Sequence, residues 1–305
     1  MLETIAAALL PALATVLLGY IAAWHHDFGR EEASVLNRMV LTYALPLAIF
    51  VDTISTPRAE LINDLPLLVV LAAAVLGVYC LIFLAWRFWL RFSPGESALA
   101  ALIASTPNGA YVGTAVLGEL FGGASGIPIA ISALLNSLIV TPVTIVLLSH
   151  DQTARPASAI LDALKQPVVW VPMLGFAMVL IGVPAPELAA KSLALLGHAS
   201  AGVALFASGV ILSGYAINMS RKVLALVFVK NIAQPALVWA AVFVLGYSNP
   251  LLGETVVTTA LPVVVLAVML GMQYRVAERE AASALLLSML SSLVTLAGFI
   301  ALTGS

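Results

Sequence analysis

The chain has 305 residues, 62% of them hydrophobic and 9% charged, with a mean hydropathy of +1.10. An ordinary soluble domain is roughly a quarter charged, so water is excluded as the main solvent. A net charge of -2 and a pI near 6.1 provide no basic face and exclude nucleic-acid binding, and the single Cys80 excludes an internal disulfide.

In hydrocarbon every spanning segment must satisfy its own backbone, which leaves helices or a closed barrel. The apolar runs are about twenty residues long and do not alternate, so helices are expected. In chain order they fall near 4–23, 33–53, 66–90, 96–121, 126–149, 167–184, 190–216, 222–246, 252–273 and 280–302. Met1-Leu2-Glu3-Thr4 lacks the positive n-region of a cleavable signal, so the first run is read as a retained helix.

Ten spans put both termini on one side. Arg30, Arg38, Arg87, Arg91, Arg155, Lys165, Arg221, Lys222, Lys230, Arg275 and Arg279 then share one face, which is eleven of the thirteen Lys and Arg; Arg58 and Lys191 take the other. The positive-inside rule makes the first face cytoplasmic and puts both termini outside. The longest connection, His150 to Gln166, reads as a cytoplasmic connector.

An offset near 155 residues aligns the chain with itself. Leu18-Gly19-Tyr20 meets Leu174-Gly175-Phe176, Phe50 meets Phe206, Pro107 meets Pro262, and Ser132-Ala133-Leu134-Leu135 meets Ser283-Ala284-Leu285-Leu286. Residues 1–150 and 167–305 thus read as two five-helix repeats joined by 151–166. Five helices per half force opposite orientations, an arrangement of transporters whose substrate site lies at the repeat interface near the midplane.

The fourth run contains Ser105-Thr106-Pro107-Asn108-Gly109-Ala110-Tyr111-Val112-Gly113 and the ninth contains Thr259-Ala260-Leu261-Pro262-Val263. Proline removes a backbone donor and displaces the carbonyl four residues before it. Either site alone reads as a proline kink. Matched interruptions in the two halves point instead to a binding site, where half-helix N-termini favour an anion. Ser105, Thr106, Pro107, Asn108, Gly109 and Tyr111, with Pro262 and Val263, are therefore candidate substrate-binding residues, and Asn136 is added from the fifth run.

The eighth run carries Lys230-Asn231-Ile232-Ala233-Gln234-Pro235. Lys230 lies about eight residues, roughly 12 Å, beyond Arg221-Lys222. Two readings stay open: a fixed charge that balances an anionic substrate or replaces a bound cation, and a side chain that snorkels to the headgroups. Asn231 and Gln234 join the candidates. No cluster of His, Asp and Glu has metal-site spacing and no nucleophile elbow occurs, so neither a cofactor, a metal nor an intramembrane enzyme is expected. A channel, which also uses broken helices, remains an alternative.

Thr106 to Gly113, the segment from Asn37 through Tyr43-Ala44-Leu45-Pro46, and the Pro262 break resemble the auxin efflux carrier family over essentially the whole chain. That family includes bacterial malonate-type permeases and plant auxin carriers. The resemblance implies an all-α elevator fold, like that of sodium/proton antiporters and bile-acid symporters. Helices 4 and 9 would cross in a transport domain of helices 3–5 and 8–10, with helices 1, 2, 6 and 7 as scaffold and homodimer surface. It also implies a carboxylate substrate near Pro107, Asn108 and Pro262 in a cell inner membrane. The long central cytoplasmic loop of the plant members is missing. The expected function is a carrier for a mono- or dicarboxylate, auxin-like or malonate-like, with a sodium-coupled bile-acid-type symporter as alternative.

Overall fold

The computed structural model describes residues 2–55, 64–122, 126–152, 156–182 and 187–304, and among these no strand occurs. The helices are α1 (Leu2–Trp24), α2 (Arg30–Ser55), α3 (Leu65–Trp89), α4 (Pro94–Ser105), α5 (Thr114–Phe121), α6 (Gly126–His150) and α7 (Pro156–Leu164). They continue with α8 (Pro167–Ile181), α9 (Glu187–Ser213), α10 (Arg221–Val244), α11 (Leu251–Ala260), α12 (Leu266–Tyr274) and α13 (Glu278–Thr303). Arg58 and Arg155, used above for orientation, lie outside the described residues.

Seven of these helices are long and apolar enough to cross a membrane: α1, α2, α3, α6, α9, α10 and α13. An eighth candidate is the α7–α8 pair, bent by 63°. The count falls short of the ten apolar runs for a physical reason. Pro107 and Pro262 split the fourth and ninth runs into pieces too short to span, α4 with α5 and α11 with α12. The sixth run forms only the fifteen residues of α8.

Local chemistry fixes where the broken helices begin and end. Ser93 Oγ accepts from Glu96 N–H while the Glu96 carboxylate accepts from Ser93 N–H, both at 3.1 Å, so α4 opens on a capping box with Pro94 at its first position. At the other end Thr106 is extended (φ -95, ψ 121), as a residue before proline must be, and α4 stops. Leu261 does the same before Pro262 (φ -58, ψ 149) and stops α11.

Two packing groups are evident. In one, α9 lies along α1 and α2, and α8 lies along α2. Backbones touch here: a Cβ on Gly19 would stand 2.0 Å from Phe206 O, and one on Gly209 would stand 1.9 Å from Val16 O. A Cβ on Gly175 of α8 would meet the Phe50 ring of α2 at 2.9 Å. Small residues at helix crossings permit such approach. In the other group α3 packs on α4, α4 on α6, α10 on α11, and α11 on α13. Leu81, Leu237 and Val294 are exposed although apolar, as expected where lipid is the solvent, and Cys80 is exposed too.

Candidate functional site

The two breaks meet. Pro107 and Val263 form an isolated antiparallel bridge, and Asn108 N–H donates to Pro262 O at 2.9 Å. Each interruption therefore finds part of its missing backbone pairing in the other, as hydrocarbon requires of a helix broken at depth. Asn108 O accepts from Val112 and Gly113 N–H at 3.1 and 3.0 Å, which starts the π turn Gly109–Gly113 leading into α5. Further π turns at Asn136–Val140 in α6 and Val229–Ala233 in α10 lie at the positions of the other candidate residues. Such turns are frequent at functional sites.

The candidate residues divide into two sets around this crossing. Pro107, Asn108, Gly109 and Asn136 line a cavity of about 50 Å³, together with Leu45, Ile49, Ser132, Ala133, Ser137, Val264, Leu266 and Met269. Gly109 and Val264–Leu266 are the starts of the two outgoing half-helices, whose first N–H groups have no intrahelical partner and carry the positive end of the helix dipole. Asn108 Nδ2 and Ser132 Oγ are both buried and without a protein partner. A buried polar atom left unpaired costs about 1–3 kcal/mol, and these two atoms are the unpaired ones among the described residues that line the cavity.

Ser105, Thr106, Lys230, Asn231, Gln234, Pro262 and Val263 do not line that cavity. Lys230 is fully buried, and its Nζ donates to Thr259 O at 2.6 Å and Gln234 Oε1 at 3.1 Å. Gln234 Nε2 in turn donates to Ser105 O at 2.9 Å. Thr259 and Ser105 stand at the C-terminal ends of α11 and α4, so one lysine–glutamine pair satisfies orphan carbonyls of both incoming half-helices. The Lys230 amine thus meets the end of α11 directly and is linked to the end of α4 through Gln234. Ser105 Oγ and Thr106 Oγ1 lie 3.3 Å apart as a hydrogen-bonded pair.

Asn231 holds the second break in shape. Its Oδ1 accepts from Ser288 Oγ at 2.7 Å, Ser288 Oγ accepts from Val263 N–H at 2.9 Å, and Asn231 Nδ2 donates to Ser288 O at 2.8 Å and Ser291 Oγ at 2.7 Å. The side chain of Tyr111 lies outside the described residues.

Sequence reasoning missed Ser132 as a lining residue, although it stands one turn before Asn136 and hence on the same helix face. It also missed the apolar wall of Leu45 and Ile49, again a pair four residues apart, and Asn37. The Asn37 amide donates to Met269 O at 3.0 Å while its Oδ1 has no partner.

Long apolar helices, a crossing of two proline breaks and a small cavity beside it with unpaired polar atoms in an apolar wall are features of a membrane transport protein. The chain belongs to the family described as "Membrane transport protein", whose model matches residues 4–300. That family consists of transporters, not enzymes. Among its relatives, "Uncharacterized transporter YfdV" of Escherichia coli K12 is 30% identical over 298 residues, covering 94% of each chain. "Putative malonate transporter" of Rhizobium meliloti is 24% identical over 308 residues, covering 97% of this chain and 95% of the relative. An "Uncharacterized transporter" of Methanothermobacter thermautotrophicus is 27% identical over 290 residues, covering 94% of each.

Proposed function

We propose that the protein is an elevator-type secondary carrier for a small organic anion, a mono- or dicarboxylate, held at the crossing of the two breaks. The observation that carries this is the cavity beside Pro107. It gathers two half-helix N-termini, the unpaired Asn108 Nδ2 and the unpaired Ser132 Oγ, and among the described residues no carboxylate lines it. One carboxylate oxygen would take the Asn108 amide and the other the Ser132 hydroxyl. Leu45, Ile49 and Met269 would pack on the rest of the substrate. The relative named for malonate supports the same chemical class.

The carrier is read as ten spans in two inverted halves, 1–150 and 167–305, with both termini outside the cytoplasm of a bacterial inner membrane. One set of contacts supports the inversion. Gly19 and Gly175 align at an offset of 156, as do Phe50 and Phe206. Gly19 packs on Phe206 while Gly175 packs on Phe50, so each copy's glycine meets the other copy's phenylalanine. A pseudo-twofold in the membrane plane produces such an exchange. The group of α1, α2, α8 and α9 is the scaffold, and a homodimer through it is expected. The other group moves.

Lys230 Nζ and Gln234 Nε2 fill the space between the two half-helix C-termini with hydrogen-bond donors, where a sodium-coupled symporter would bind its ion. Transport is therefore expected to be independent of sodium. A thermal-shift screen of carboxylates against the wild type and Asn108→Ala tests the substrate class, because a ligand that binds the native state raises its melting temperature. Stabilisation of the wild type that is lost in Asn108→Ala is expected. If no carboxylate stabilises the wild type, the anion site is refuted.

A further inference from the structure

α2 has 26 residues and so spans about 39 Å between its ends. At the Ser55 end a chamber of about 260 Å³ is lined by Asp52, Thr53, Thr114, Gly126 and Ala133. Ala133 also lines the site cavity, so this chamber adjoins the site. At the Arg30 end a separate cavity of about 420 Å³ lies among Ala23, His26, Arg30, Tyr215 and Glu278. Among the described residues it shares none with the site cavity. On the proposed orientation the site thus shares a wall with a chamber at the outer side and none with the cavity at the cytoplasmic end.

A three-residue cluster holds the cytoplasmic end together. Arg30 Nη2 donates to both oxygens of Glu278 at 2.7 Å. Its Nη1 donates to Tyr215 OH at 3.0 Å, and that hydroxyl donates to Glu278 Oε2 at 3.3 Å. The Glu278 side chain is 8% exposed and would be left buried without an ionic partner if the pair opened in place, whereas Arg30 is 63% exposed and can re-enter water when released. Glu278 is presented on a strained turn, since Arg275 and Ala277 before it have φ of 54° and 44°, in the left-handed region that favours glycine. Neighbouring bonds keep it in place: Arg279 Nε donates to Ala216 O at 2.9 Å, and Asn218 Nδ2 donates to Glu280 Oε1 at 3.1 Å.

The partners come from different packing groups. Arg30 begins α2, which packs with α8 and α9, and Glu278 begins α13, which packs on α11 and α12 and meets the first group along α1 and α9. We infer that the Arg30–Glu278 pair, braced by Tyr215, is a cytoplasmic latch between scaffold and moving group that holds the carrier with its site facing outward. This rests on the two-group carrier reading above. Sliding α13 along α1 and α9 must break the pair, and forming it selects one member of a two-state equilibrium.

The test uses the full-length protein with Cys80→Ser and Ala133→Cys, labelled with a membrane-impermeant thiol reagent in intact cells and in inside-out vesicles. Glu278→Gln and Arg30→Gln are each expected to lower outer labelling by at least about threefold and raise inner labelling, as loss of a state-selecting contact shifts the populations. The exchange Arg30→Glu with Glu278→Arg is expected to restore the original ratio, which also separates a latch from a folding defect. Labelling from both faces at rates that the three variants leave unchanged overturns the latch alone. Labelling from one face only, in every background, overturns the moving-group reading beneath it.

Discussion

Replacing Gly209 by alanine puts a methyl group where no space exists. The added Cβ would stand 1.9 Å from Val16 O and 2.9 Å from Tyr20 N, and an ordinary contact needs at least 3.4 Å. Both obstacles are backbone atoms of α1 and cannot rotate away, so α1 and α9 must separate by about 1.5 Å along the line of contact, forfeiting much of the dispersion energy on either side. Overpacking of this kind costs about 1–3 kcal/mol, and the rigidity of the obstacle puts Gly209→Ala at the upper end. Each kcal/mol is worth about 2–4 °C in a chain above 150 residues, so a fall of about 5–10 °C is expected in thermal unfolding of the purified protein in detergent. Gly202→Ala on the same helix is the control, because a Cβ there meets nothing within 4 Å and alanine has the better helix propensity. Gly19→Ala, whose Cβ would meet Phe206 O at 2.0 Å, should lower stability similarly. The double variant should lose less than the sum, since one separation relieves both clashes. A Gly209→Ala melting temperature within 2 °C of the control would refute the close crossing.

Other outcomes follow from the site. Lys230→Met leaves Thr259 O, at the end of α11, without a donor, and thermal unfolding should register a loss of about 1–3 kcal/mol. Ser288→Ala frees Val263 N–H and should cost a similar amount, while any ligand-induced stabilisation that needs Asn108 persists, because Ser288 does not line the cavity. Tyr79→Phe removes the 2.8 Å bond to Thr144 Oγ1, but that hydroxyl still donates to Val140 O, so the loss in the same assay should stay near 1 kcal/mol.

Hydropathy made the helical membrane class plain, since runs of twenty apolar residues with 9% charge admit no other solvent. The prolines at 107 and 262 were legible as breaks because proline acts on its own backbone, independently of distant packing. What the breaks touch was not legible. Lys230 could be read as snorkelling or buried, and only the third dimension turns its ammonium to Thr259 O, 29 residues away. Ser132 resembled one more small residue in an apolar helix until the fold set it opposite Gly109. Of the three runs that do not give a long helix, two are divided by Pro107 and Pro262 and the sixth forms only the fifteen residues of α8, and hydropathy, which sums over a segment, distinguishes neither case.

The two breaks differ in what their backbones require of side chains. Val263 N–H is tied through Ser288 to Asn231, whereas the Asn108 amide projects into a cavity and the Ser137 hydroxyl, matched to Ser288 by the internal offset, returns to Ala133 O in its own helix. On the proposed function, maintenance of the crossing and contact with cargo would therefore fall on different codons. Substitutions at 108 and 132 would alter what is carried without removing the Asn231–Ser288–Val263 bonds, and substitutions at 231 and 288 would remove those bonds without changing a residue that lines the cavity. If the halves are copies, as proposed, such a chain would change substrate quickly, because the copy that diversifies would not be the copy that holds the joint.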